Sequence, residues 1–144
     1  NYFNRSDERT HLNAKGYILQ GEYFAKAIFT TFELNKKWKP LQPEFLRIEN
    51  NKAFVTLHVP EGDLVIDTQT LPEAPGYGLK YISPSNIEYI PQVSIQGNSL
   101  VLEFNTTLEV GGKIDSGFTL DDRQNTANQK TPVTNIRDTS EFIG

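Results

Sequence analysis

The N-terminal quarter of the chain carries apolar residues at helical spacing. They recur every three or four positions, at Ala14, Tyr17, Gly21, Phe24, Ala25, Ile28 and Phe32. Asn13 is suited to the N-cap, because its short side chain can accept a hydrogen bond from a free N–H of the first turn. Gly16 and Gly21 lower helix propensity, so we expect them where the helix approaches another element. The pattern predicts one long amphipathic helix whose apolar stripe needs a partner surface.

A linker follows the helix. Residues 36–43 read Lys-Lys-Trp-Lys-Pro-Leu-Gln-Pro, and the two prolines stop the helix and favour an extended path. We therefore predict a boundary here, with residues 1–36 and 37–144 as separate units. The lysines around Trp38 are interpreted as a solvated surface with an aromatic anchor.

Beyond the linker the apolar period changes from helical to two. In one segment Ala53, Val55, Leu57 and Val59 alternate with Phe54, Thr56 and His58, as in a half-buried strand. Turn signals, among them Gly97-Asn98, separate about seven such segments. They lie at Phe45–Glu49, Ala53–Val59, Leu64–Asp67, Tyr77–Ile82, Ile87–Gln96, Ser99–Phe104 and Lys113–Thr119. The pattern predicts a mainly β fold: an N-terminal helix followed by a small antiparallel β-sandwich.

Composition narrows the class of protein. The 144 residues carry a net charge of −4, include no Cys and no Met, and begin with Asn. The first residue suggests a processed product or a piece of something longer, and the absence of Cys excludes disulfides and thiolate metal sites. The acidic balance argues against nucleic acid as a partner. No apolar run approaches the roughly 18 residues of a membrane span, and we expect no membrane partner and no cofactor.

The candidate chemistry lies just before the helix. Asp7 and Glu8 precede His11, and a carboxylate can hold one imidazole nitrogen while the other takes a proton from a nucleophile. The alternative is a solvated surface histidine, which is the commoner role for a lone His at a helix start.

The longer string is more specific. Thr-His-Leu-Asn-Ala-Lys-Gly-Tyr at 10–17, followed by Gly-Glu-Tyr-Phe-Ala-Lys-Ala at 21–27, resembles the last sequence block of SGNH (GDSL-type) hydrolases. The resemblance implies that this helix is the end of an α/β catalytic domain and that His11 is the general base of a Ser-His-Asp triad. The family places the acid three residues before the histidine, which is Glu8 here. Asp7 has the usual residue type, so both stay candidates.

The nucleophile of that family lies in an upstream Gly-Asp-Ser block. This chain has no such block, so the resemblance implies an upstream catalytic segment that carries the serine. Gly97-Asn98-Ser99-Leu100 looks similar to the block. However, it falls between two alternating strands and after the histidine, and we predict a hairpin turn there.

The second half resembles the β-domain that follows the catalytic helix in SGNH esterases of phage tail proteins and bacterial relatives. The similar segments are Lys39-Pro40-Leu41, Val55–Pro60, Leu64–Thr68, Tyr77–Tyr81 and Asn135-Ile136-Arg137-Asp138-Thr139. The resemblance implies an esterase that removes O-acetyl groups from surface polysaccharide and is located extracellularly or on a virion. Tail spikes of this kind are usually trimeric, so a homotrimer is part of the same expectation.

The C-terminal tail, residues 121–141, is polar, as disordered segments are. We nevertheless expect it to be held against a surface, with Arg137 and Asp138 pinning it to the catalytic domain.

A second function is compatible with the sequence. It is a non-catalytic glycan-binding or structural module, for which Tyr77, Tyr81 and Tyr89 are candidate sugar contacts.

Overall fold

A computed structural model describes residues 14–69, 73–116 and 134–139. One helix, α1 (Ala14–Ile28), continues into a π-helical turn at Phe29–Glu33. Nine strands follow within the described ranges: β1 (Gln42–Glu49), β2 (Lys52–His58), β3 (Leu64–Ile66), β4 (Leu79–Ile82), β5 (Glu88–Tyr89), β6 (Gln92–Gln96), β7 (Ser99–Glu103), β8 (Lys113–Ser116) and β9 (Ile136–Asp138). The predicted mainly β class, a helix followed by antiparallel sheets, is confirmed.

The helix ends where the sequence supplies a suitable residue. Asn35 has a φ of 49°, a left-handed conformation that asparagine tolerates better than most residues. The backbone N–H of Leu34 donates to Phe29 at 3.1 Å and that of Lys36 to Thr30 at 3.0 Å, which pairs carbonyls that a helix end leaves free. Residues 35–40 then run without helix or strand, as the prolines predict.

The larger sheet has the strand order β1-β2-β7-β6 and is antiparallel throughout. Ala53 lies opposite Leu102, and Val55 lies opposite Leu100. Three of these four side chains are buried, and Val55 packs against them. This face of the sheet is therefore the core face, and the predicted alternation along β2 is confirmed.

A three-stranded sheet, β5-β4-β8, supplies the other side of the core. Tyr81 on β4 is 2% exposed, and its ring lies 5.7 Å from Phe104 and 5.9 Å from Tyr89, between ring centroids. Its hydroxyl accepts a hydrogen bond from the backbone N–H of Glu109 at 2.9 Å. The aromatic content of the chain thus contributes to a sandwich core, in which a buried tyrosine needs such a partner.

Two details of the predicted strands are wrong. The segment Ile87–Gln96 is interrupted at Pro91, so it forms the short β5 and then β6; proline has no N–H to donate to a sheet. Tyr77 does not begin a strand, because it lies in a turn with a φ of 53°.

Gly112 is a position where close packing requires glycine. A Cβ atom there would overlap the ring of Tyr81, which is fixed in the core. We expect Gly112→Ala to lower the free energy of unfolding by about 1–3 kcal/mol, measured by urea denaturation. Gly21→Ala is the matched control: a Cβ at Gly21 meets nothing within 4 Å, so it should stabilise the helix by up to about 1 kcal/mol. Equal effects of the two substitutions would contradict this packing.

Candidate functional site

The predicted catalytic residues Asp7, Glu8 and His11, together with the predicted cap Asn13, lie outside the described residues. The described part of the site begins at Ala14, three positions after His11. The described surroundings of the predicted catalytic residues are α1 and the segments that contact it.

One face of α1 is shielded. Gly16 is buried, and Tyr23, Ala27 and Thr30 on the same face are half-buried. The Tyr23 ring meets the Trp38 ring edge-on with centroids 5.6 Å apart. Lys26 lies 4.0 Å from Glu61, in the loop after β2. This face therefore lies against the linker and the β-domain.

The opposite face is apolar and exposed. Six large side chains on it are each more than half exposed: Tyr17, Ile18, Phe24, Ile28, Phe29 and Phe32. They include four of the residues predicted to form the packing stripe. Among the side chains of α1 that the structure describes, none belongs to the hydrophobic core. The stripe therefore has the composition of an interface and is not used by the β-domain.

Tyr23 on α1 has a pKa that is shifted from its usual value. Burial raises the pKa of its phenol, and the negative charge of Asp138 raises the pKa further. Folding favours the protonated phenol. The contribution of Tyr23 to the free energy of unfolding is therefore fully present below its usual pKa of about 10, and it is lost as the pH rises through the higher pKa of Tyr23 in the folded protein.

We expect Asp138→Asn to lower the pKa of Tyr23 without returning it fully to the usual value, because the burial remains. Phenolate absorbance during an alkaline titration measures this, and Tyr23→Phe identifies the Tyr23 component among the six tyrosines. An unchanged titration in Asp138→Asn would show that Asp138 does not act on Tyr23.

The C-terminal motif is held by a buried asparagine. Asn135 is fully buried; its side-chain oxygen accepts from the N–H of Ala74 at 3.0 Å, and its amide donates to the carbonyl of Asp67 at 2.8 Å. Its backbone N–H donates to Tyr77 at 3.1 Å, and its carbonyl accepts from the N–H of Asp67 at 2.7 Å. One residue thus fastens the C-terminal segment to three positions of the connection between β3 and β4.

The next residues extend this attachment. β9 pairs antiparallel with β3, and the Nε of Arg137 donates to Oδ2 of the buried Asp67 at 2.7 Å. Thr139 accepts a hydrogen bond on its Oγ1 from the N–H of Asp63 at 2.8 Å. The tail is therefore held by its own β-domain. Arg137 bonds to Asp67 of the β-domain and not to α1, and Asp138 is near enough to Tyr23 of α1 for its charge to raise the pKa of that residue. A contact of either residue with the catalytic domain stays a prediction.

The other sequence candidates have structural roles. Gly97 and Asn98 form the predicted turn between β6 and β7, and Ser99 Oγ is hydrogen-bonded to Thr56 Oγ1 at 2.9 Å. Tyr81 is inaccessible to a sugar, and Tyr77 and Tyr89 pack partly against the core. Among the described residues, no three His, Asp or Glu side chains form a group that could hold a metal.

A cavity of about 540 Å³ lies between the two larger sheets. Its walls are mostly apolar, and Lys113, Asp115 and Glu109 are among the polar residues that line it. His58, the one histidine among the described residues, does not line it.

Comparison with known proteins found no relatives. No family model matches the sequence, and neither the curated proteins nor the solved structures include a significant match. Within the described ranges, no helix is both long and apolar enough to cross a membrane.

Proposed function

We propose that this chain is the C-terminal portion of an SGNH-type esterase that removes O-acetyl groups from surface polysaccharide. An upstream segment supplies the serine nucleophile. His11 is the general base, and Glu8 or Asp7 orients it. The same proposal puts the protein outside the cell or on a virion surface, with a homotrimer as its assembly.

The exposed apolar stripe of α1 is the observation that carries the proposal. The stripe directly follows the Thr-His-Leu-Asn block, and its residues Phe24, Ile28 and Phe32 are 59%, 57% and 77% exposed. A helix with one face on the β-domain and an apolar face in solvent lacks a packing partner. An upstream catalytic domain would cover that face and bring His11 to its nucleophile.

The reaction then proceeds in two steps. The serine oxygen attacks the acetyl carbonyl while His11 takes the hydroxyl proton, and the sugar hydroxyl leaves with that proton, which leaves an acetyl-serine. His11 next removes a proton from water, the resulting hydroxide attacks the acetyl-serine, and acetate leaves as the serine regains its proton. The carboxylate of Glu8 or Asp7 stabilises the imidazolium in both steps.

Acetate release tests this function. The complete polypeptide, with its upstream segment, should release acetate from O-acetylated polysaccharide. The 144-residue chain alone should not exceed background, because the nucleophile lies elsewhere. Acetate release by the isolated chain, or none by the complete polypeptide, would contradict the proposal.

A charge placed in the stripe should affect the isolated chain and the complete polypeptide differently. We expect Ile28→Asp to leave the thermal unfolding of the isolated chain nearly unchanged, because the side chain is exposed there. In the complete polypeptide the same change buries an unpaired carboxylate and should destabilise it by several kcal/mol. Differential scanning calorimetry measures both, with Val110→Asp on a fully exposed residue as the control. Equal effects of the two variants in the complete polypeptide would show that the stripe is not buried there.

The rival function, a non-catalytic glycan-binding or structural module, draws support from the way the β-domain is closed by its own tail. Asn135, Arg137 and Thr139 all bind within that domain, as a module that folds by itself would require. Retention of the isolated chain on a glycan array would favour this alternative.

A further inference from the structure

One described contact of α1 forms a small joint between Tyr23 on the helix and Trp38 in the linker. Lys26, three residues further along α1, lies 4.0 Å from Glu61 of the β-domain. Tyr23 meets the Trp38 ring at 5.6 Å and lies within the electrostatic reach of Asp138. Trp38 is half-buried, so the contact is not a loose surface encounter. The linker therefore meets the helix at the side chain of Tyr23.

Asp138, whose charge acts on Tyr23, is rigidly supported in the β-domain. Asp138 pairs with Leu64 in the β3-β9 ladder, and the Nη1 of Arg137 donates to the Asp138 carbonyl at 2.7 Å. The next residue, Thr139, donates its N–H to the Asp63 carbonyl at 2.9 Å. The Asp138 side chain is thus presented from a strand that is hydrogen-bonded on both sides of it.

We propose that Tyr23 is a positioning residue: through its ring contact with Trp38, the segment that leads into the β-domain sets the tilt of α1 and hence the place of His11. This inference rests on the proposed function. It gives that segment a role in the reaction itself.

A small tilt of α1 about the joint displaces the start of the helix by a distance that matters for catalysis. Tyr23 lies nine residues into the helix, so the start of α1 is about 13 Å from the joint along the helix axis. A tilt of about ten degrees about the joint moves that end by about 2 Å, and a misplacement of about 1 Å can cost a catalytic group about a hundredfold in rate. An edge-on ring contact is more directional than aliphatic packing, so it is suited to fix this tilt.

The contact between Tyr23 and Trp38 can be tested by fluorescence, without any measurement of catalysis. In the isolated 144-residue chain, Trp38 is the only tryptophan, so its emission reports the joint directly. Tyr23→Ala should shift the emission to longer wavelength and lower its anisotropy, whereas Tyr23→Phe, which keeps the ring, should change little. Val93→Ala on β6 destabilises the core outside the joint and should leave the emission unchanged. Unchanged emission in Tyr23→Ala would show that Tyr23 does not pack on Trp38 and would overturn the inference.

Kinetics of the complete polypeptide, measured well below its unfolding temperature with a small soluble acetyl ester, then test positioning. We expect Tyr23→Ala to lower kcat at least about tenfold with KM within about twofold, because the base is displaced and the substrate site is not. Tyr23→Phe should restore most of kcat, and Val93→Ala should match the wild type. Normal kcat in Tyr23→Ala overturns the inference, and so does a loss equal to that of Val93→Ala. An inactive wild type overturns the proposed function as well.

Discussion

Replacement of His11 by alanine in the complete polypeptide is expected to lower kcat for acetyl-ester hydrolysis by about ten-thousandfold or more. Without the imidazole, no group takes the proton from the serine or later from water. KM should change little, because His11 acts on the reacting bond more than on the bound sugar. Steady-state kinetics with a small acetyl ester measure both quantities.

His58 provides the matched control, since the chain has only two histidines. It lies at the end of β2, opposite Gln42 of β1. We expect His58→Ala to keep full activity. Activity that survives in His11→Ala, or that is lost equally in both variants, would exclude His11 as the base.

Replacement of Asn135 by alanine is expected to have the largest effect on the stability of the β-domain. It leaves the N–H of Ala74 and the carbonyl of Asp67 without their side-chain partners in a buried site. Each unpaired buried group costs about 1–3 kcal/mol, so the free energy of unfolding should fall by about 3 kcal/mol or more. That is a large share of the roughly 5–15 kcal/mol of an ordinary domain.

Urea denaturation measures this loss, with Asn105→Ala as the control. Asn105 is exposed, and its replacement should change the free energy of unfolding by less than about 0.5 kcal/mol. Similar values for the two variants would show that the C-terminal motif does not close the domain.

The sequence pattern predicts the helix and most strands because their periodicity is local. The alternation along β2 identifies its core face, and the stripe on α1 is found in the structure at the predicted positions. Pro91 shows the limit of this reasoning: the alternation continues across it, yet the missing N–H divides the segment into two strands.

The C-terminal attachment could be predicted only in part. Asn135 and Arg137 stand in a polar tail whose composition resembles that of disordered segments, and their partners Ala74 and Asp67 are about 60 to 70 positions away. No periodicity encodes such a distant pairing. The only local signal is the short Asn-Ile-Arg-Asp-Thr string with its apolar centre. The contact of Tyr23 with Trp38 is hidden from the sequence as well, because the path of the linker back to the helix has no periodic signal.

The central claim is that His11 activates a serine that lies outside this chain, and a fluorophosphonate probe tests it most directly. Such a probe attaches covalently to a serine that a neighbouring base has activated. Treatment of the complete polypeptide followed by peptide mass spectrometry should find one labelled serine, N-terminal to residue 1, and no label in His11→Ala. Equal labelling in His11→Ala, labelling of Ser99 or another serine of these 144 residues, or no labelling of the wild type would contradict the account.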